Sequence, residues 1–248
     1  MPGEPVPTGI LGRPGGAAAS GWADRVLEHG VVPLASGAAF RGKVLGHARH
    51  ARRPGTTAGA GARLGSDSGS WRPVRALLST EREVIAVDLP GHGGTPPLEV
   101  NTIATFADAL QVFLADSGLT GAADLAGSSV GARLVLELAR RGHGGAVVAL
   151  DPGGFWDDVG ARYLGWTLGA SVRAVRALDR FLPSLTANPM TRSALLVQLS
   201  ARPWRLSHEL ALAELRKFAG TGVFAEVLHD LVHGPRQGGM PARPRTGW

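Results

Sequence analysis

From residue 64 to 150 the chain alternates short apolar runs of strand length with longer stretches whose apolar residues recur at helical spacing. Val84 to Val87 is a compact strand run closed by Pro90 and Gly91, and Ile103 to Leu114 is an amphipathic helix. Ala122 to Gly127 reads as the next strand, Val130 to Arg141 as a helix stopping at Gly142, and Ala146 to Leu150 as a third strand. Upstream, Ser70 can cap a helix running through Thr80, with Pro73 tolerated in its first turn. Strands separated by helices cannot pair as tight hairpins. The alternation therefore predicts an α/β fold with a parallel sheet flanked by helices, and it places functional residues at the carboxyl ends of strands.

One such strand end reads Gly127-Ser128-Ser129-Val130-Gly131, a G-x-S-x-G pattern. The five letters alone are weak evidence in a chain with 36 glycines. Their context adds weight, because a strand enters the motif and a helix leaves it. A sharp strand-to-helix turn lifts the serine hydroxyl clear of the sheet, and glycines on either side let strand and helix approach closely. Two readings stand at this point: Ser129 as a nucleophile, and a glycine-rich turn carrying an incidental serine.

The length of 248 residues and a hydrophobic content of 44% suit one α/β domain, alone or with a small insertion. There is no cysteine, so disulfides and thiolate metal sites are excluded, and no His, Asp or Glu spacing suggests a metal or cofactor. No charged region followed by an apolar run lies near Met1, and no run reaches about 18 apolar residues, so no membrane association is expected and a cytoplasmic protein is the default. The net charge of +6 is unevenly spread. Residues 1 to 63 hold eight Lys or Arg against three Asp or Glu, whereas the rest hold 18 against 17. The most basic stretch, "RGKVLGHARHARRPG" (Arg41 to Gly55), has no aromatic residue on which a base could stack, and reads as a solvated, disordered arm with no specific nucleic-acid partner. Within the first 63 residues only "RVLEHGVVPLA" (Arg25 to Ala35) is patterned for a strand or short helix.

"VIAVDLPGHGGT", then "ADLAGSSVGARLVLELA", then "AVVALDPGGFW" together resemble the middle of an α/β-hydrolase of the single-domain esterase and lipase type. The resemblance covers about residues 64 to 235 and implies a hydrolase core over 64 to 152, a helical cap over 153 to 235 and a tail over 236 to 248. By that likeness Ser129 attacks an ester or related acyl carbonyl of a small-molecule substrate, and the backbone N–H of Val130 is one oxyanion donor. The second donor falls to Leu64, because "ARLGSDSGSW" aligns with the family's oxyanion loop while Ala62-Arg63 stands in place of its usual His-Gly. The "GHGG" of Gly91 to Gly94 follows a different strand and reads as a tight structural turn.

The resemblance also implies an acid and a histidine after the cap, yet "GGMPARPRTGW" resembles only the loop into the next strand. Relative to the family the chain reads as altered at its N-terminal end and truncated at its C-terminal end, with an incomplete sheet, the pattern a shifted reading frame would leave. Asp151, at the end of the Ala146 to Leu150 strand, is the candidate acid; its "DPGG" context is equally a turn. His208, His229 and His233 lie on cap helices or their ends. Pro183, Pro189 and Pro203 divide the cap into three or four helices. Phe155, Trp156, Trp166 and Trp204 are candidates to line an apolar substrate pocket above Ser129, on spacings that serve a core equally well. An aspartate in place of Ser129 would point to dehalogenase or epoxide-hydrolase chemistry; a serine points away from it. The readings carried forward are a serine hydrolase and, from a different class, a non-catalytic remnant that binds ligands through the cap cleft.

Overall fold

The computed structural model describes residues 32–33, 39–40, 42–44, 56–60, 64–80, 82–117, 119 and 123–238. Strands β1 (Val32–Pro33) and β2 (Ala39–Phe40) pair as a short antiparallel ladder. The main sheet contains β3 (Gly42–Val44), β4 (Thr56–Ala60), β5 (Glu83–Val87), β6 (Asp124–Ser128) and β7 (Val147–Leu150), in the order β3-β5-β4-β6-β7. Four of these strands run parallel and β3 is antiparallel to β5. The parallel sheet expected from the alternation is therefore present, and the three strands read from the sequence, now β5, β6 and β7, begin and end within two residues of their estimates.

Position in the sheet, not side-chain character, makes a strand of "TTAGA". β4 lies between β5 and β6, with Ala58 opposite Ile85 on one side and Leu125 on the other. Neighbours on both sides satisfy its backbone N–H and C=O groups, which offsets the cost of ordering a glycine-containing segment. The same argument accounts for β3, which falls inside the stretch read from sequence as a solvated arm: an open edge of β5 accepts backbone pairing whatever the side chains. The remainder of that basic stretch lies outside the described residues.

A 3-10 turn (Ser68–Trp71) leads into α1 (Arg72–Leu78). Its cap is Asp67, whose carboxylate accepts the Gly69 N–H at 2.8 Å, and not Ser70 as the sequence suggested. An aspartate one turn earlier offers a better acceptor to the unpaired amides at the start of the turn. Helix α2 (Ile103–Asp116) begins with a capping box between Thr102 and Thr105 and buries Phe106, Leu110 and Phe113. Helix α3 (Val130–Arg140) buries Leu134, Val135 and Leu138. These two helices pack on each other, and with Ile85, Val87 and Leu125 of the sheet they form the core. Each fully buried Leu or Phe there contributes roughly 1.5–3 kcal/mol through removal of apolar surface from water.

After β7 the chain is helical: α4 (Asp158–Ala177), α5 (Leu182–Ala187), α6 (Pro189–Leu196), α7 (His208–Gly220) and α8 (Phe224–His233). Five helices thus replace the three or four expected. Pro183 and Pro189 each sit in the first turn of a helix, so one short segment is divided into α5 and α6. Helix α8 packs along α4, and α7 bridges α4, α5 and α6. Among the described residues no helix is long and apolar enough to cross a membrane.

Candidate functional site

Ser129 has φ 53° and ψ −111°, backbone angles that non-glycine residues rarely adopt. The geometry is held from both sides. Its N–H donates to the Leu150 carbonyl at 2.9 Å, extending the β6–β7 ladder, and its carbonyl accepts from Arg133 N at 3.1 Å, opening α3. At Gly127 an added Cβ would overlap the Gly131 carbonyl, so only glycine permits this crossing of β6 and α3. Strain sustained by surrounding structure is a mark of functional positions. Val130 is the first residue of α3, and Ser129 provides no side-chain cap, which leaves the helix N-terminus aimed at whatever sits beside the serine.

Asp151 is the other non-glycine residue with positive φ among the described residues, at 52°. It follows Leu150, the residue that holds Ser129, and lines the same cavity of about 290 Å³. Leu64 lines that cavity too. Its loop is fixed by Asp88, whose carboxylate accepts the Ser68 N–H at 2.7 Å and the Gly94 N–H at 3.2 Å. The Gly91–Gly94 turn is therefore structural, as its sequence position suggested. His92 within it is buried, with Nδ1 2.9 Å from the Pro90 carbonyl and its ring edge-on to Phe106.

Of the four candidate aromatic residues, Trp156 reaches the cavity. Phe155 is exposed, Trp204 is exposed on the 3-10 turn Pro203–Arg205, and Trp166 lines a different groove. The reason for Trp166 is helical phase. Leu164 and Leu168, one turn apart, face the cavity, and a residue midway between them points about 200° away. The remaining wall was not foreseen: residues 197–201, from Val197 to Ala201, close the cavity with Phe218, Phe224 and Leu231. No periodicity marks that segment, and the signal available was the break before Pro203.

None of the described histidines lines the Ser129 cavity. His208 Nδ1 lies 2.9 Å from Thr186 Oγ1, at the start of α7. The rings of His229 and His233, one turn apart on α8, are 4.7 Å from centroid to centroid and line the groove that contains Trp166. Next to the serine cavity, and sharing Leu64, Leu199, Ser200 and Phe218 with it, is a second cavity of about 520 Å³. Its polar side is a network in which Lys217 bonds Asp67 at 2.8 Å and Glu214 at 3.0 Å, while Ser66 donates to Glu214 at 3.1 Å. Burial alone would lower the Lys217 pKa; the hydrogen bonds to Asp67 and Glu214 outweigh it and raise the pKa, so this link between α7 and the turn before α1 is charged.

The fold has relatives among known proteins. The model of the alpha/beta hydrolase family matches residues 44–240. An enol-lactonase from Burkholderia xenovorans LB400 superposes with a TM-score of 0.57 at 16% identity, over 84% of this chain and 74% of its own. An esterase from Rhodococcus sp. ECU1013 gives 0.53 at 22% identity, again over 84% and 74%. An epoxide hydrolase of the superfamily, from metagenomes of hot environments, gives 0.54 at 16% identity over 86% and 72%. No curated protein matches by sequence. Identities this low establish the fold and leave the chemistry to the site. With a family model spanning most of the chain and the strand-elbow-helix at Ser129, this chain belongs to the α/β hydrolase family.

Proposed function

We propose that the chain is a serine hydrolase acting on a small ester-like acyl substrate, with Ser129 as nucleophile. The observation that carries this reading is the strained elbow: a serine at φ 53° facing a mostly apolar cavity from the N-terminus of α3. In the reaction, Ser129 Oγ bonds to the acyl carbon as its proton passes to solvent water, and the carbonyl oxygen becomes an oxyanion beside the N–H groups of Val130 and Leu64. Collapse expels the alcohol, which takes up a proton, and water then releases the acid. Asp151 supplies a carboxylate on the same cavity. Leu164, Leu168 and Trp156 favour an apolar acyl or alcohol group.

A second reading is favoured by a different observation, the lack of a histidine on the cavity among the described residues. Without an imidazole base, Ser129 keeps a high pKa, and the oxyanion donors and binding retain a rate enhancement of only about 10³-fold over water. The same cavity then serves as a ligand-binding module. Labelling with a fluorophosphonate probe separates the two, with Ser129→Ala as control. Labelling that disappears in the variant supports the hydrolase; ligand binding without Ser129-dependent labelling supports the binding module.

A further inference from the structure

A second face of α4, turned away from Ser129, forms an open groove of about 620 Å³ with α8. Its floor is apolar and low: Gly165, Gly169 and Val172 from α4 meet Leu228 and Val232 from α8. Three arginines, Arg162, Arg173 and Arg176, rise from α4 along it, and no carboxylate lines it. The acidic residues nearby are engaged elsewhere. Asp158 pairs with Arg236, Glu226 accepts from Asn101, and Asp230 accepts from the Ile103 amide. Arg176 uses Nε on the Ala219 carbonyl at 2.7 Å, which leaves its terminal nitrogens to the groove. Trp166, 70% exposed, stands beside the floor.

Uncompensated guanidiniums over an apolar floor call for a ligand with the same division. Arg173 and Arg176 lie one turn apart on the same face of α4, with Arg173 Nη2 back over Gly169 and Arg176 Nε on Ala219, a spacing from which two guanidiniums can reach one carboxylate or phosphate. From Arg173 back to Trp166 is seven residues, a helical rise of about 10 Å, which sets the length of apolar body the floor can cover. The volume falls in the range of small-molecule sites, about 300–1,000 Å³.

We propose that this groove binds a small amphiphile whose single anionic head, a carboxylate or phosphate, is held by Arg173 and Arg176 and whose apolar body lies over Gly169 and Gly165 toward Trp166. The groove shares Phe224 with the Ser129 cavity but contains neither Ser129 nor Asp151, and it does not depend on catalysis there. Two variants address its two halves. Arg173→Gln with Arg176→Gln removes the head contacts. Gly169→Leu fills the floor: an added Cβ there stands at ordinary contact distance from Arg173 Nη2, 3.9 Å, and Leu228 Cδ2, 4.0 Å.

Calorimetric titration of the full chain with decyl phosphate, below its micelle concentration, tests the proposal, with decyl maltoside and inorganic phosphate as comparison probes. Expected is saturable binding of decyl phosphate, weakened by about tenfold or more in each variant, and far weaker binding of the other two probes. Circular dichroism checks that both variants keep their helices; because they alter different parts of the groove, one folded variant suffices. No binding of decyl phosphate would overturn the proposal, as would wild-type affinity in a folded variant, which puts the ligand elsewhere, including the Ser129 cavity. Equal affinity for decyl maltoside would reduce the site to apolar surface. Equal affinity for inorganic phosphate, indifferent to Gly169→Leu, would reduce it to a bare anion site.

Discussion

Asp230, near the end of α8, accepts the backbone N–H of Ile103, the first residue of α2, at 2.8 Å. Beside it Glu226 accepts from Asn101 Nδ2 at 2.9 Å. Helix α8 thereby supplies part of the N-terminal cap of α2, adding to the internal capping box of Thr102 and Thr105. An amide at that position has no partner within its own helix, and a carboxylate also favours the positive end of the helix dipole. Asp230→Ala should cost about 1–2 kcal/mol in denaturant unfolding. Asp230→Asn, which keeps an acceptor and loses the charge, should cost less. Equal stability of all three proteins would show that the contact contributes nothing.

The elbow gives a sharper expectation. Since a Cβ at Gly127 has no space beside the Gly131 carbonyl, Gly127→Ala must push β6 and α3 apart. Overpacking of this kind costs about 1–3 kcal/mol, and more where backbone meets backbone. The variant should unfold at lower denaturant than Ser129→Ala, which removes one hydroxyl from the cavity side. A Gly127→Ala protein as stable as Ser129→Ala would mean that the crossing has slack.

Two groups divide the acid response into separate windows. Burial holds the His92 pKa below its ordinary 6.5, against the opposing pull of the Pro90 carbonyl and the Asp88 charge. Because the unfolded chain then takes up the proton first, stability falls as pH drops below about 6.5. Glu137 is held at about 2, from 4.5, first by its hydrogen bond from Arg140, with burial opposing and Arg141 adding to the effect. Its contribution is present in full above about 4.5 and fades as pH falls toward 2. His92→Gln should flatten the upper part of the stability-versus-pH curve and Glu137→Gln the lower. Denaturant midpoints measured from pH 8 to pH 3 check both, and a curve unchanged by either variant would contradict the assignment.

The parts of this molecule legible in its sequence are those fixed by local chemistry or by order along the chain. The strand-glycine-serine-glycine-helix at Gly127 to Gly131 needs no long-range information, and Leu64 and Asp151 follow from their places before and after it. Even "TTAGA" is recoverable, because strands on either side leave a gap for it. The cavity walls are a different matter. Whether Leu164 or Trp166 of α4 meets Ser129 depends on helical phase, which is set where Asp157 caps the Gly160 amide and on how α8 packs behind. Hydrophobicity alone ranks the tryptophan first. Residues 197–201 reach the cavity from a segment with no periodicity at all, so only tertiary packing reveals them.

At the other side of the sheet, β7 pairs with β6 alone among the described residues. Its exposed face carries Val148, 53% exposed, and Leu150, 49% exposed. Since Leu150 O and Ala146 O bond to β6, the N–H and C=O groups of the alternate residues Val147 and Ala149 point to the open edge. A short apolar strand with a free edge and no charge on its outer face is a template for pairing with another chain. The protein should therefore self-associate as concentration rises and bind hydrophobic dyes in its folded state. Val148→Lys places a charge on that face without touching the β6 ladder, and it should suppress both behaviours while leaving the unfolding midpoint within about 0.5 kcal/mol of the parent. Sedimentation velocity over a concentration series reads the association directly. A parent chain that stays monomeric and binds no dye would show that the β7 edge is covered by a part of the chain outside the described residues.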